Sequence, residues 1–172
     1  IVRFQDLPLS PEQSAQTFTD QGITASKELL HDLTLMQQTT NFGSLITPTA
    51  STEEIIRART QVQSKLIGAD LFAANALQQL DVALHQLAEL SRTFWCVVDN
   101  PPYMGGGKMN KILSDYVKKY YPAAKNDVAT CFILMAFEKV HSGGEIGMVT
   151  LDSWMFLSSF EAFRKKMLKE ST

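Results

Sequence analysis

Five consecutive apolar residues, Phe94-Trp95-Cys96-Val97-Val98, run straight into Asp99-Asn100-Pro101-Pro102-Tyr103. An uninterrupted run of β-branched and aromatic residues predicts a strand buried on both faces, the pattern of a parallel sheet. Two successive prolines forbid its continuation. Each fixes φ and removes a backbone donor, and Pro101 holds Asn100 away from helical geometry. A stiff loop must therefore leave the carboxyl end of this strand, presenting one carboxamide, outward-facing carbonyls and one aromatic ring. In an open α/β sheet, ligands bind outside the carboxyl ends of the strands.

The residues beyond this loop complete a unit around the strand. A polar helix is expected from about Met109 to Tyr120, stopped by Pro122. The segment from Asp127 to Val140 is apolar on almost every side and reads as a helix covering a sheet. Gly143-Gly144 turns the chain into a second strand over 145–150, and a final helix begins near Ser158. Strand, helical crossover and strand together imply a parallel pair with a right-handed connection, so the expected class is α/β.

The part before this unit has a different chemistry. All eleven glutamines precede residue 90, and six of the nine glycines follow it. Residues 1–90 carry five Lys/Arg against ten Asp/Glu, whereas residues 91–172 carry eleven against eight. The charge asymmetry points to the second part as the one that approaches an anion. Residues 1–90 read as helices. Ser10-Pro11-Glu12-Gln13 supplies an N-cap, a proline at the first helical position and a capping-box glutamine, with Gly22 placed to end the helix. A second helix is expected from about Ala25 to Thr40, broken by Asn41-Phe42-Gly43-Ser44 and Pro48. Ser51-Thr52-Glu53-Glu54 is another capping box, opening a helix on which Ile55, Val62 and Leu66 share a face. Ala73, Leu77, Leu80, Leu84 and Leu87 then form a seam too short for a coiled coil, read as one side of a helical hairpin.

Several function classes are set aside by what the chain contains. Its longest apolar run, Cys131 to Phe137, is far short of the ~20 residues needed to span a bilayer. There is no basic stretch followed by an apolar one at the start, so no secretory signal is expected. Cys96 and Cys131 sit inside apolar runs without a CxxC partner, which predicts reduced thiols and a cytoplasmic setting. His31, His85 and His141 lack metal-ligand spacing, so no metal is expected. Gly105-Gly106-Gly107-Lys108 is no phosphate loop, because Pro102 stands where the first glycine is required and Met109 where Ser or Thr is required. A chain starting at Ile1 and ending at Ser171-Thr172 just past a helical stretch is expected to be a piece of a longer polypeptide.

The loop after the first strand suits a planar base bearing an exocyclic amine. Such an amine attacks a methyl donor only once its lone pair is drawn out of the ring. Two acceptors on its two N–H bonds, the Asn100 side-chain oxygen and the Pro101 carbonyl, would stabilise the charge that develops. Tyr103 would stack on the base, offsetting part of the cost of flipping it from a duplex. No general base is needed, since the alkylated amine loses its proton readily. Gly105 belongs to a mobile loop near the substrate. Lys108, with Lys111, Lys118, Lys119 and Lys125, is placed to follow phosphates, although any solvated helix face carries such lysines. Trp154 and Phe156 are candidates for the wall of a base pocket, with core packing as the competing reading.

Asn100-Pro101-Pro102-Tyr103 after an apolar strand resembles the NPPY motif of amino-group methyltransferases, above all the N6-adenine DNA methyltransferases. The run Tyr103-Met104-Gly105-Gly106-Gly107, Met109-Asn110, Tyr121-Pro122, Asp127, Gly143-Gly144 and the segment 153–159, together with Asn41-Phe42-Gly43-Ser44-Leu45-Ile46, resembles the large adenine-specific enzymes of the BREX phage-defence system (PglX-like) and related type IIG restriction enzymes. The likeness spans most of the chain. It implies part of a Rossmann-like methyltransferase fold, with 1–90 as a helical insertion region and 91–172 as the catalytic-loop half. It implies S-adenosylmethionine as cofactor, touched here by Asn100, with Asn100, Pro101, Pro102 and Tyr103 catalytic, DNA as substrate, and other defence-system proteins as partners. The family's glycine-rich cofactor loop is absent from this sequence. RNA bases or a protein glutamine, methylated through the same loop, are alternatives. So is an inert, self-associating module paired through its sheet edge and leucine seam.

Overall fold

The computed structural model describes residues 3–170; Ile1 and the Ser171-Thr172 end, on which the expectation of a longer polypeptide rests, lie outside the described residues. The chain divides into two compact units, one ending at Arg92 and the other starting at Thr93.

The first unit is helical: α1 (Pro11–Asp20), α2 (Lys27–Leu35), a 3-10 turn at Met36–Gln38, α3 (Thr39–Phe42), a second 3-10 turn at Gly43–Leu45, α4 (Thr52–Leu66) and α5 (Leu71–Leu90). The first capping box forms as expected. Gln13 N–H donates to Ser10 Oγ at 3.2 Å, and Ser10 N–H donates to Gln13 Oε1 at 2.8 Å. Gly22, at φ 65°, follows the end of α1 in a conformation that suits glycine. The second expected helix shortens to α2, and the chain re-coils at Gly43, which also has positive φ.

The capping box expected at Ser51 is only half made. Ser51 Oγ accepts from Glu54 N–H, but the Glu54 carboxylate reaches instead to Ser26, whose N–H and hydroxyl donate to it at 2.8 and 2.9 Å. A tertiary partner outcompetes the local one and ties the start of α2 to the start of α4. Asp32, fully buried, does the same for the loop before α4. Its carboxylate accepts the Thr49 N–H, the Thr49 hydroxyl at 2.8 Å and the Ala50 N–H at 2.8 Å. The helical hairpin is α4 against α5, with Leu77, Leu80, Leu84 and Leu87 facing Ile55, Ala58 and Val62 in one fully buried layer. The leucine seam is thus consumed inside its own unit and is not the self-pairing face it could have been. Arg59 bridges Asp81 at 3.0 Å across the hairpin.

The second unit runs β1 (Phe94–Asp99), a 3-10 turn at Gly106–Lys108, α6 (Lys111–Tyr120), α7 (Val128–Lys139), β2 (Val140–Met148), α8 (Ser153–Phe156), a 3-10 turn at Ser158–Phe160 and α9 (Glu161–Glu170). The strands are parallel, and the helical connection between them supplies the crossover that parallel pairing requires. Asn110 caps α6, accepting Leu113 N–H at 2.8 Å, and Asp127 caps α7, accepting Ala129 N–H at 2.9 Å. The uniformly apolar α7 is buried along most of its length and packs on both strands and on α9.

Two expectations change here. The second strand starts earlier than residue 145, at Val140, and the Gly143-Gly144 turn becomes a bulge within it: Phe94 pairs with Val140 and Cys96 with Glu145, so four residues of β2 face Trp95 alone. Also, β1 is not buried on both faces, since Trp95 is 70% and Val98 79% exposed. Double-sided burial needs a neighbour on each edge and a layer on each face. Among the described residues β1 has one paired edge, with α7 packed against it.

Two stability consequences follow from these contacts. Asp32→Ala leaves the buried donor of Ala50 and both donors of Thr49 without their partner and should lower stability by about 3 kcal/mol, more than Asp32→Asn, in urea unfolding followed by far-UV circular dichroism. At Gly144 a Cβ would lie 2.7 Å from Val140 Cγ2, 2.8 Å from the Trp95 carbonyl oxygen and 3.0 Å from that of His141. Gly144→Ala should therefore lower the thermal midpoint of the second unit, at a cost of about 1–3 kcal/mol.

Candidate active site

The site begins where β1 ends. Sheet pairing carries one step beyond the strands, with Val149 N–H donating to the Asp99 carbonyl at 3.2 Å. From that anchored end the chain turns out through Asn100, which is exposed, and Pro101, which is buried. A proline suits a buried turn position because it has no N–H to satisfy. Pro102 and Tyr103 are both exposed. The Tyr103 hydroxyl stands 3.2 Å from Asn100 Oδ1 and 3.0 Å from the Val149 carbonyl oxygen. Asn100, Tyr103 and the chain beyond β2 are thus fastened together.

The residues after Tyr103 lie along the start of α7. The Met104 carbonyl accepts Val128 N–H at 3.0 Å, Gly106 N–H donates to the Asn126 carbonyl at 3.0 Å, and Gly105 pairs antiparallel with Asp127. Lys108 N–H closes the 3-10 turn on the Gly105 carbonyl at 2.8 Å, leaving the Lys108 side chain exposed. The expected glycine loop is therefore a paired segment as far as Gly106.

Trp154 and Phe156 take different positions. Trp154 is half-buried: its Nε1 donates to Thr150 Oγ1 at 3.2 Å, and its ring meets Phe163 edge-on, centroids 5.5 Å apart. With Asp127, Ala129, Thr130, Leu151 and Phe160 it lines a small cleft above the start of α7. Phe156, 75% exposed, stands in solvent. Arg164 holds this corner, its Nη1 donating to the carbonyls of Trp154 and Leu157 at 2.7 and 2.8 Å. Asn126 Nδ2 reaches the Ser159 carbonyl. The contributions of Val149 and Asn126 escaped the sequence reading because both act largely through backbone groups, which no residue type announces.

Burial shifts three titratable groups in the helices of the second unit. Burial, with the Asp127 charge second, pushes the Cys131 thiol up to about 12, so it is a neutral core group at physiological pH. Burial likewise raises the Tyr116 hydroxyl and lowers the Lys139 ammonium from their ordinary values. Among the described residues no group of three or more His, Cys, Asp or Glu is placed to hold a metal ion. His85 Nδ1 lies 3.1 Å from Arg59 Nη1, and His141 stacks at a tilt near Trp95, centroids 5.0 Å apart. No helix among the described residues is long and apolar enough to cross a membrane.

Residues 17–172 match the family described as Eco57I restriction-modification methylase. Over 147 residues, 85% of this chain, the sequence is 34% identical to the adenine-specific methyltransferase BrxX of Escherichia coli O9:H4 (strain HS). Over 78 residues, 45% of this chain, it is 46% identical to the adenine-specific methyltransferase PglX of Lacticaseibacillus casei (strain Zhang). The matched segments span 12% of the first relative and 6% of the second.

The thiols give a direct check on the geometry around α7. At pH 8 a thiol-specific alkylating reagent should modify exposed Cys96 in the native protein and Cys131 only after denaturation, as read by mass spectrometry of the two peptides.

Proposed function

The chain belongs to the Eco57I restriction-modification methylase family, and from that membership we propose that it forms the amine-activating part of an adenine-specific DNA methyltransferase. The observation that carries the proposal is the placement of Asn100: exposed, at the carboxyl end of a parallel strand, followed by a buried Pro101 and tied to the Tyr103 hydroxyl. The target in this reading is the N6 amine of adenine in DNA, in restriction-modification or phage defence: both relatives are named adenine-specific methyltransferases, and the family description names restriction-modification. In this reading β1 and β2 with their helical crossover belong to a Rossmann-like sheet. Residues 91–172 are its catalytic-loop half and residues 1–90 a helical insertion.

The chemistry asks little of side-chain acids and bases. The Asn100 side-chain oxygen and the Pro101 carbonyl accept the two N–H bonds of the amine, drawing its lone pair out of the ring and stabilising the positive charge as it forms. Their position at a rigid turn means little reorganisation is needed during reaction. The face of Tyr103 stacks on the flipped base. Gly105 allows close approach of the backbone, exposed Lys108 meets a phosphate, and Phe156 is offered to the base or its neighbour while Trp154 braces the corner beneath. S-adenosylmethionine supplies the methyl group when bound. Asn100 would touch it, but neither β1 nor β2 runs into the glycine-rich strand-to-helix turn that would grip it. The amine side of the site fits this chain; the main cofactor cradle lies elsewhere in the enzyme. Other proteins of the defence system complete the assembly.

The test is transfer of a labelled methyl group by the enzyme containing this chain to unmethylated DNA, RNA and protein. Adenine in DNA should be labelled, and Asn100→Ala should reduce the rate by about 100-fold or more without unfolding the protein. Labelling of RNA or of protein glutamine would overturn the substrate, and an Asn100→Ala variant as active as the parent would overturn the mechanism.

A further inference from the structure

Three oxygens meet at Tyr103. Its hydroxyl lies 3.0 Å from the Val149 carbonyl oxygen and 3.2 Å from the end of the Asn100 carboxamide drawn as Oδ1. A hydroxyl has one proton and two lone pairs, and a backbone carbonyl can only accept. At 3.0 Å, two oxygens attract only with a proton between them, so the Tyr103 proton points to Val149. The group on the other side of the hydroxyl must then be a donor. A carboxamide has one such end, and its oxygen and nitrogen exchange places by a half-turn about the terminal bond, with little change in shape.

We infer that Tyr103 is a positioning residue for Asn100: its hydroxyl donates to the Val149 carbonyl, accepts from Asn100 Nδ2, and so turns Oδ1 outward to the incoming amine. The inference rests on the reading of Asn100 as an amine acceptor and goes beyond it by fixing which end of the carboxamide faces the substrate. Without the hydroxyl, either end of the exposed carboxamide could face outward, and the Nδ2 end would repel the N–H bonds that Oδ1 is required to bind. The aromatic ring and the hydroxyl of Tyr103 thus have separable duties, one toward the base and the other toward Asn100.

The direct readout needs no turnover. In this chain labelled with 15N-asparagine, the Asn100 side-chain signals are assigned by their loss in Asn100→Asp. One Asn100 Nδ2 proton should be shifted downfield and exchange slowly with water, and Tyr103→Phe should return it to solvent-like values while leaving the other asparagine signals in place. Solvent-like Asn100 protons in the parent protein, or signals unmoved by Tyr103→Phe, would overturn the inference. In the complete methyltransferase, Tyr103→Phe should lower kcat by roughly three- to tenfold with KM for DNA unchanged, because the stacking ring remains. An unchanged kcat, or a rise in KM without loss of kcat, would also overturn it. Asn100→Ala is run beside these variants. If it methylates normally, the amine-acceptor reading itself fails; if it is inactive while Tyr103→Phe is fully active, only the positioning role fails.

Discussion

Both backbone groups of Val149 bear on the Asn100–Tyr103 loop, and the arrangement of the second unit converges on that residue. Its N–H pairs with the Asp99 carbonyl, extending the parallel register one step past β2 and fixing the point at which Asn100 departs. Its carbonyl meets the Tyr103 hydroxyl three residues further along the loop. Between these two points the prolines remove the torsional freedom and the donors that would let the loop settle differently. The parallel pairing is in turn held by α7, whose apolar surface lies against both strands. Core packing, strand register and the exposure of a single carboxamide are therefore successive links, and disturbance of the first reaches the last.

The first unit is built on another principle. Its helices are joined by side chains that serve backbone groups distant in sequence: Glu54 caps Ser26, Asp32 holds Thr49 and Ala50, and Gln86 pairs with both backbone groups of Gln5 as a neighbouring strand would. These clasps pin loop backbones to helices that lie far from them in sequence, and at Ala50 they satisfy a buried N–H. They also account for some of the acidic and glutamine side chains that give this part its composition.

Much of this was legible in the sequence, where local chemistry decides the outcome. Ser10 with Gln13 marks a helix start by side chains that reach their own backbone, and the Asn100–Tyr103 loop is fixed by proline geometry. The family resemblance drawn from that loop and the residues around it agrees with the match over residues 17–172. What could not be read was decided by tertiary competition. Glu54 sits at the right spacing to close a box on Ser51, yet Ser26 offers it two donors. Trp95 and Val98 have the apolar character of a double-covered strand, but residue type does not reveal how many layers surround it. The role of Val149 is invisible because a backbone carbonyl is the same under every side chain.

The separation of the two units has a practical side. Both tryptophans, Trp95 and Trp154, and all four tyrosines lie beyond Arg92. The helical unit, built on Phe18, Leu29 and the α5 leucines, carries no chromophore absorbing above the phenylalanine band. Tryptophan and tyrosine fluorescence of this chain reports on the second unit alone, and loss of the helical unit would pass unseen in such a record unless the second unit melted with it.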